Sequence, residues 1–289
     1  MVESETLKML GGAVREHAMI RVAREPLRVW GLPSPLWNAS ERGDVDVLDE
    51  ELGDWIEAVP EDQIVMCGAG ATLCAINEAL VPHGQCIPAA PGPLDSDFSN
   101  WRLGDAIALN LPHALGAQCG SWTHWVLGVT AVLDQGQIVR MGSKVVKNVA
   151  GYDLHKMFVG ARGTLGILAE VTLRTCPVGS RPNSSLVIVE PGAAPGPLWV
   201  QRTLAADFER AIEAAKDRTL AFDPASSTLW ASVEPEDELP RFRGDWVLRS
   251  RCGDRNLSIE DQTLIDLMIR LKRGLDPNGK FNQGDFGFL

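Results

Sequence analysis

Apolar residues recur along the chain in two periods, and the switches between them outline the elements. Leu7, Leu10, Val14 and Met19 fall at near-helical spacing in the first twenty residues, with Gly11 and Gly12 weakening the middle. That spacing predicts an amphipathic helix laid against a sheet. Residues 26–37, PLRVWGLPSPLW, read as a short strand followed by a proline-rich turn. An acidic linker over 41–62 leads into an alternating strand at 63–67 and a turn at Gly68, Ala69 and Gly70. Thr72 is the expected N-cap of a helix with Leu73, Ile76 and Leu80 on one face and Gly84 ending it. Residues 126–139 predict a β-hairpin turning at Asp134, Gln135 and Gly136. A further strand is expected over 166–175, where Ile167, Ala169, Val171 and Leu173 alternate with Leu168, Glu170, Thr172 and Arg174.

Between those last two strand regions lies NVAGYDLHKMFVGARGTLGI, residues 148–167. Glycine tolerates positive φ and admits close approach, so Gly151, Gly160, Gly163 and Gly166 suggest backbone folded over something flat or phosphorylated. A helix cap plus a tight turn accounts for the same spacing. Asp153 is placed to cap a short helix whose Leu154, Met157 and Phe158 share a face, with Gly160 at its left-handed end. Composition shifts at Pro177: residues 178–197 are rich in Pro, Gly and Ser, and a helix over 205–216 turns Phe208, Ile212 and Ala215 inward. Near the end, Ser258 and Asp261 form a capping box for a helix lined by Leu264, Leu267, Met268 and Leu271, stopped by Gly274 and Pro277.

Composition narrows the function classes. At 289 residues the chain can hold one sizeable domain with a smaller appendage. A net charge of -11 argues against nucleic acid or an anionic membrane as direct partner. No run of eighteen apolar residues occurs and MVESETLKML is unlike a secretion signal, so no membrane span and a cytoplasmic location are expected. On that expectation the sequons at Asn38, Asn183 and Asn256 are idle. Cys67, Cys74, Cys86, Cys119, Cys176 and Cys252 show no C-x-x-C pair, which speaks against zinc or an iron–sulfur cluster and for buried free thiols. The strand, glycine turn and helix over 63–80 could cradle a phosphate, and it is also an ordinary α/β connection without a Rossmann fingerprint. No P-loop, zinc motif or Ser/His/Asp set supports a kinase or hydrolase.

The run KVVKNVAGYDLHKMFVGARGTLGILAEVTLRTCP, residues 144–177, closely resembles the N-x-x-G-Y-D-L … G-x-x-G-T-L-G-I … E-x-T-L-R signature of FAD-binding PCMH-type flavoproteins of the vanillyl-alcohol-oxidase superfamily. Within that family it is most similar to the E-subunit class of glycolate oxidases. VMCGAGATL at 65–73, residues 88–92 and LDPNGKFNQG at 275–284 extend the resemblance, which leaves 178–250 largely outside. The resemblance implies an α+β fold: a two-lobed FAD-binding PCMH-type domain over 1–177, a shortened cap-like region over 178–250 with little strand signal, and a C-terminal helix and tail over 251–289 returning to the first domain. It implies noncovalent FAD, held by Gly31 and Ser34, by Gly68, Ala69, Gly70, Ala71, Thr72 and Leu73, by Gly120 and Ser121, and by Gly163, Thr164, Gly166 and Ile167. Two loops depart from the family pattern. The first reads Trp30, Gly31, Leu32, Pro33, Ser34, Pro35, and its prolines have no N–H for a phosphate. The second reads Asp105, Ala106, Ile107, Ala108, Leu109, with both glycines gone and a carboxylate near the expected phosphate.

The implied function is that of an FAD-binding subunit working with a catalytic flavoprotein subunit and an iron–sulfur subunit to oxidise glycolate or a similar small 2-hydroxy acid. A flavin-free structural subunit of the same kind of complex is the alternative, favoured by the two altered loops. No catalytic base is assigned: His124, His155, Lys144, Lys147 and Arg174 are of suitable chemistry, while Tyr152 and His155 fall where capping and packing would use them. Trp30, Trp37, Trp101, Trp122 and Trp125 could stack on a flavin, but cores and subunit contacts are the commoner use of such side chains.

Overall fold

A computed structural model describes residues 5–16, 20–21, 46–47, 53–89, 101–108, 110, 113, 115, 119–143, 153–181, 187–189, 198–225, 227–232, 242, 246–250 and 262–281. The chain opens with helix α1 (Glu5–Glu16) and a parallel strand pair, β1 (Ile20–Arg21) and β2 (Asp46–Val47). Next come β3 (Ile56–Val59), β4 (Ile64–Gly68), α2 (Leu73–Leu80), β5 (Gln85–Cys86), α3 (Leu103–Ala108), α4 (Trp122–Trp125), β6 (Val126–Val132) and β7 (Ile138–Gly142). Strand β8 (Ile167–Arg174) completes a five-stranded antiparallel sheet in the order β3-β4-β8-β6-β7, and β9 (Cys176–Pro177) pairs with β5. A second antiparallel sheet follows, ordered β10-β12-β13-β11-β14, from β10 (Val187–Ile188), β11 (Leu198–Arg202), β12 (Thr219–Asp223), β13 (Thr228–Ser232) and β14 (Trp246–Ser250). Helix α5 (Phe208–Ala215) packs on this sheet, and α6 (Gln262–Leu275) leads into the tail. The architecture is α+β, as expected.

The expected first helix, α2, hairpin and fourth strand all form. Thr72 Oγ1 accepts from the Ala75 amide at 3.2 Å, and Gly84, at φ +64, closes the 3-10 turn after α2. Strand β8 deviates from simple alternation. The β6 register steps from Thr130↔Glu170 to Ala131↔Leu168, so Ala169 is an extra residue, a bulge that reverses the phase of the strand. Ile167 and Ala169 therefore face α1 with Leu7, Leu10, Val14 and Phe281, whereas Leu168, Val171 and Leu173 share the other core with Leu73, Ile76, Leu80, Trp101 and Trp122. Both faces are covered, at roughly 1.5–3 kcal/mol for each fully buried large side chain. Gly11 in α1 is a contact point: a Cβ there would sit 2.8 Å from the Gly136 carbonyl oxygen of the hairpin turn.

Two regions differ from the sequence reading. Residues 178–250, expected to be poor in strands, contain the whole second sheet. Strands β12 and β13 are short and covered on both faces: Leu220, Ala221 and Trp230 join the main core, while Leu229 and Ala231 pack on α5, so no polar alternation marks them. Helix α6 also differs. Leu264 and Leu267 are exposed, the helix runs through Gly274 to Leu275, and its one fully buried side chain is Lys272. Contact is made by the last turns, where Leu271 and Leu275 reach the core; Ser258 and Asp261 lie outside the described residues.

Lys272 Nζ donates to the Thr164 carbonyl at 2.7 Å, to the Phe281 carbonyl at 2.6 Å and to Asp276 Oδ2. Asp276 in turn accepts from the Lys280 and Phe281 amides at 2.8 and 2.9 Å. Removing one member of a buried ion pair strands the other, so Lys272→Met is expected to lower the unfolding free energy by about 3–5 kcal/mol, whereas exposed Arg273→Ala should change it by less than about 0.5 kcal/mol. Urea denaturation of the two variants checks this; equal effects would contradict it.

Candidate functional site

Helix α3 joins the two glycine turns singled out in the sequence. At its start, Leu103 and Gly104 amides donate to the Ala71 and Ala69 carbonyls, and the Leu73 amide donates to Trp101, each at 2.9 Å. At its end, the Ile107 and Ala108 carbonyls accept from the Gly160 and Arg162 amides at 2.9 and 2.7 Å. The segment expected to be a second phosphate loop is thus helical, and it locks the 68–73 turn to the 160–167 loop.

The two turns differ in what their amides are free to do. In the first, Gly68, Ala69, Gly70 and Ala71 donate to the carbonyls of Trp55, Ala169, Gly53 and Gly68 at 2.9–3.1 Å. With Leu73 also paired, Thr72 alone in this turn keeps an amide with no partner among the described residues. Gly68 is required by sterics: a Cβ there would overlap the Gly53 carbonyl. In the second, Gly160, Arg162, Gly163 and Gly166 take φ of +80, +53, +70 and +150. The Thr164 amide and hydroxyl both donate to Ala161 O, at 2.9 and 2.6 Å. Gly163 and Leu165 are buried, yet their amides meet no acceptor among the described residues. Buried amides without a partner are rare. Asp153 does not cap the 3-10 turn Leu154–Phe158; its exposed carboxylate pairs with Lys156 Nζ at 2.5 Å instead.

Further unpartnered polar atoms lie on residues 105–113. Asp105 Oδ2, Asn110 Oδ1 and His113 Nδ1 are buried without a hydrogen bond among the described residues. Burial pushes the Asp105 carboxyl up to about 6, with Arg102 opposing. Burial pushes His113 down to about 4, with its bond to the Gly120 backbone opposing, so its ring is neutral at pH 7 and lies 5.5 Å from the Trp122 ring, edge to face. Gly120, at φ +86, leaves no room for a Cβ beside His124, and Ser121 precedes α4 without a side-chain cap.

Of the sequence-derived binding residues, the fold brings residues 68–73 and 163–167 together through α3 and β8. Gly120 and Ser121 stand at the start of α4 on the strand next to β8, while Gly31 and Ser34 lie outside the described residues. Among the base candidates, His155 is buried with Nδ1 unpartnered among the described residues, His124 is exposed, and Arg174 pairs in register with Ile64. Lys144, Lys147 and Tyr152 lie outside the described residues, as do Trp30 and Trp37. Trp101 and Trp122 are core residues, and Trp125 Nε1 donates to the Cys119 carbonyl at 2.6 Å. Sequence reading missed His113, Asn110 and Lys272; the Lys-x-x-x-Asp spacing of 272 and 276 was the available signal for the last. No group of metal-ligating side chains is present among the described residues, and no described helix is long and apolar enough to cross a membrane.

The chain is similar over part of its length to several known proteins. It is 33% identical over 131 residues to a D-lactate dehydrogenase of Archaeoglobus fulgidus, covering 45% of this chain and 28% of that one. It is 35% identical over 127 residues to the glycolate oxidase subunit GlcE of Escherichia coli, covering 44% and 35%. An uncharacterised FAD-linked oxidoreductase of Mycobacterium tuberculosis matches at 30% over 128 residues, covering 44% and 27%. Its relatives are FAD-linked oxidoreductases. The chain spans about a third or less of the length of these three relatives. No family model matches it.

The burial of Asp105 has a signed consequence. A raised carboxyl stabilises the fold below the ordinary value of 3.8, and that contribution is lost as pH rises through about 6. Asp105→Asn should therefore raise stability at pH 7 by about 1–3 kcal/mol, with the gain disappearing near pH 4. His113, whose contribution is instead lost as pH falls from 6.5 toward about 4, is common to both proteins and cancels in the difference. Urea titrations of both proteins at the two pH values measure it; a gain of the same size at pH 4 would rule out the carboxyl as its cause.

Proposed function

We propose that the chain binds FAD noncovalently and serves as a flavin-carrying subunit of a complex that oxidises glycolate or a similar 2-hydroxy acid. The observation that carries this reading is the pair of buried amides at Gly163 and Leu165, free among the described residues, within the stretch that resembles the flavoprotein signature. Chemically, such amides suit an anionic or carbonyl acceptor. Thr72, in the turn at the opposite end of α3, keeps a further amide without a partner among the described residues. The residues therefore fit the cofactor at this end, where the Gly163 and Leu165 amides would hold it with Gly166 and Ile167 alongside; the amides of 68–71 and of Thr164 do not, because the fold has used them. Bound flavin supplies two-electron oxidation of the substrate or relay of its electrons. The relatives named D-lactate dehydrogenase and glycolate oxidase subunit support a 2-hydroxy acid as substrate class and a subunit role. A catalytic flavoprotein subunit and an iron–sulfur subunit are its proposed partners. On this reading, 1–177 forms the FAD domain, 178–250 is a cap-like lobe, and the tail over 251–289 returns to the first domain.

A flavin-free structural subunit is the second reading, favoured by the closed 68–71 turn and the buried Asp105 carboxyl. The two separate on one preparation. Protein purified alone and with its partners should release FAD on denaturation, and Gly163→Val, which forces a branched side chain to φ +70, should lose that flavin while complex assembly persists. Absence of flavin from every wild-type preparation sinks the first reading.

A further inference from the structure

Strands β5 and β9 set two cysteines opposite each other. Cys86 and Cys176 are register partners in the antiparallel pair, 90 residues apart in sequence, and their Sγ atoms are 3.7 Å apart. Directly opposed antiparallel residues have Cα separations of about 4.5–5.5 Å, inside the range of about 4.4–6.8 Å that disulfides span. Closing the sulfurs to bonding distance thus needs side-chain rotation and no movement of either strand. The two thiols differ in access: Cys86 is buried at 5% exposure, whereas Cys176 is half-buried. A third thiol, Cys119, and the Arg181 guanidinium lie within electrostatic range of Cys86. Arg181 Nη2 also donates to the Ala89 carbonyl at 2.9 Å, tying the segment after β9 to the segment after β5.

We propose that Cys86 and Cys176 form a reversible disulfide, made by exchange with a small-molecule disulfide of the glutathione class. The half-exposed Cys176 thiolate attacks one sulfur of the oxidant, giving a mixed disulfide and one released thiolate. Cys86, deprotonated in turn, attacks Cys176 Sγ, forms the intramolecular S–S bond and expels the second thiolate. Two protein thiols are oxidised, the oxidant disulfide is reduced to two thiols, and the two protons pass to those products. Burial, then the bond to Cys176, holds the Cys86 thiol up at about 11, which makes the second step slow near neutral pH and faster in mild alkali. The bond would staple the point where the chain leaves the central sheet after β8 toward the second sheet. Flavin plays no part in it.

The test treats the full chain with oxidised glutathione, blocks remaining thiols with an alkylating agent and maps peptides by mass spectrometry. The expected result is loss of two of the six thiols, a mass lower by two hydrogens, a linked Cys86–Cys176 peptide, and a thermal midpoint that rises on oxidation and returns with dithiothreitol. Cys86→Ser should stop at a glutathione adduct on Cys176, and Cys176→Ser should retain Cys86 as a free thiol. A wild-type protein that keeps both thiols free, that accumulates the Cys176 adduct without ring closure over hours at mildly alkaline pH, or that links Cys119 instead overturns the proposal.

Discussion

The ammonium of Lys272 is the point on which the described site hangs. A lysine buried to 6% exposure is stable only if its charge is matched and its three hydrogens are placed. One goes to Asp276, and the other two go to main-chain carbonyls from different parts of the chain, Thr164 in the glycine loop and Phe281 in the tail. The tail is held at two further points, by Asn278 on Asp134 of the hairpin turn, with a side-chain bond of 2.7 Å, and by Lys280 Nζ on the Val14 carbonyl at 2.8 Å. One cation thus fixes the Thr164 carbonyl in a loop whose Gly160 and Arg162 amides are already held by the end of α3. The ion pair sits outside the loop, so it orders Thr164 without consuming the amides on either side.

That ordering explains why the two glycine turns have opposite character. Around residue 68 the absent side chain lets another strand approach, and each amide finds a carbonyl there: Gly53, Trp55 and the bulged Ala169. Around residue 163 the backbone curls on itself: the Ala161 amide donates to Phe158, and the Thr164 amide and hydroxyl donate to Ala161. A glycine motif is therefore a statement about approach, and hydrogen-bond use decides whether what approaches is protein or ligand.

The same distinction sets what was legible in the sequence. Period and caps were local signals, so α2 with its Thr72 cap, the hairpin at Gly136 and the extent of β8, though not its bulge at Ala169, could be read directly. The second sheet could not, because strands covered on both faces lose their polar alternation, as Leu229, Trp230 and Ala231 do. Leu264 and Leu267 misled for the opposite reason: their helical spacing is real, but the face they form lies in solvent among the described residues. Of the site, the 163–167 stretch was visible as a motif, while the burial of Asp105, His113 and Lys272 depends on contacts made by residues distant in the chain. Apart from the Lys-x-x-x-Asp spacing at 272 and 276, these charged and polar residues carry no sequence mark of being inside.

Asp105 shows how an apparently damaging substitution can sit in a working fold. As an ionised group beside a phosphate it would repel it, yet its burial favours the neutral carboxyl, and Arg102 opposes only part of that shift. A neutral carboxyl has a proton to donate, so the penalty on an anion falls as pH drops toward 6 and below. His113 moves in the other sense, staying uncharged until about pH 4 and adding no attraction for an anion in the same interval. Between those limits the segment 105–113 therefore presents dipoles and little net charge, so that on the proposed flavin-binding reading recognition at this end would fall to the main-chain amides of the neighbouring loop.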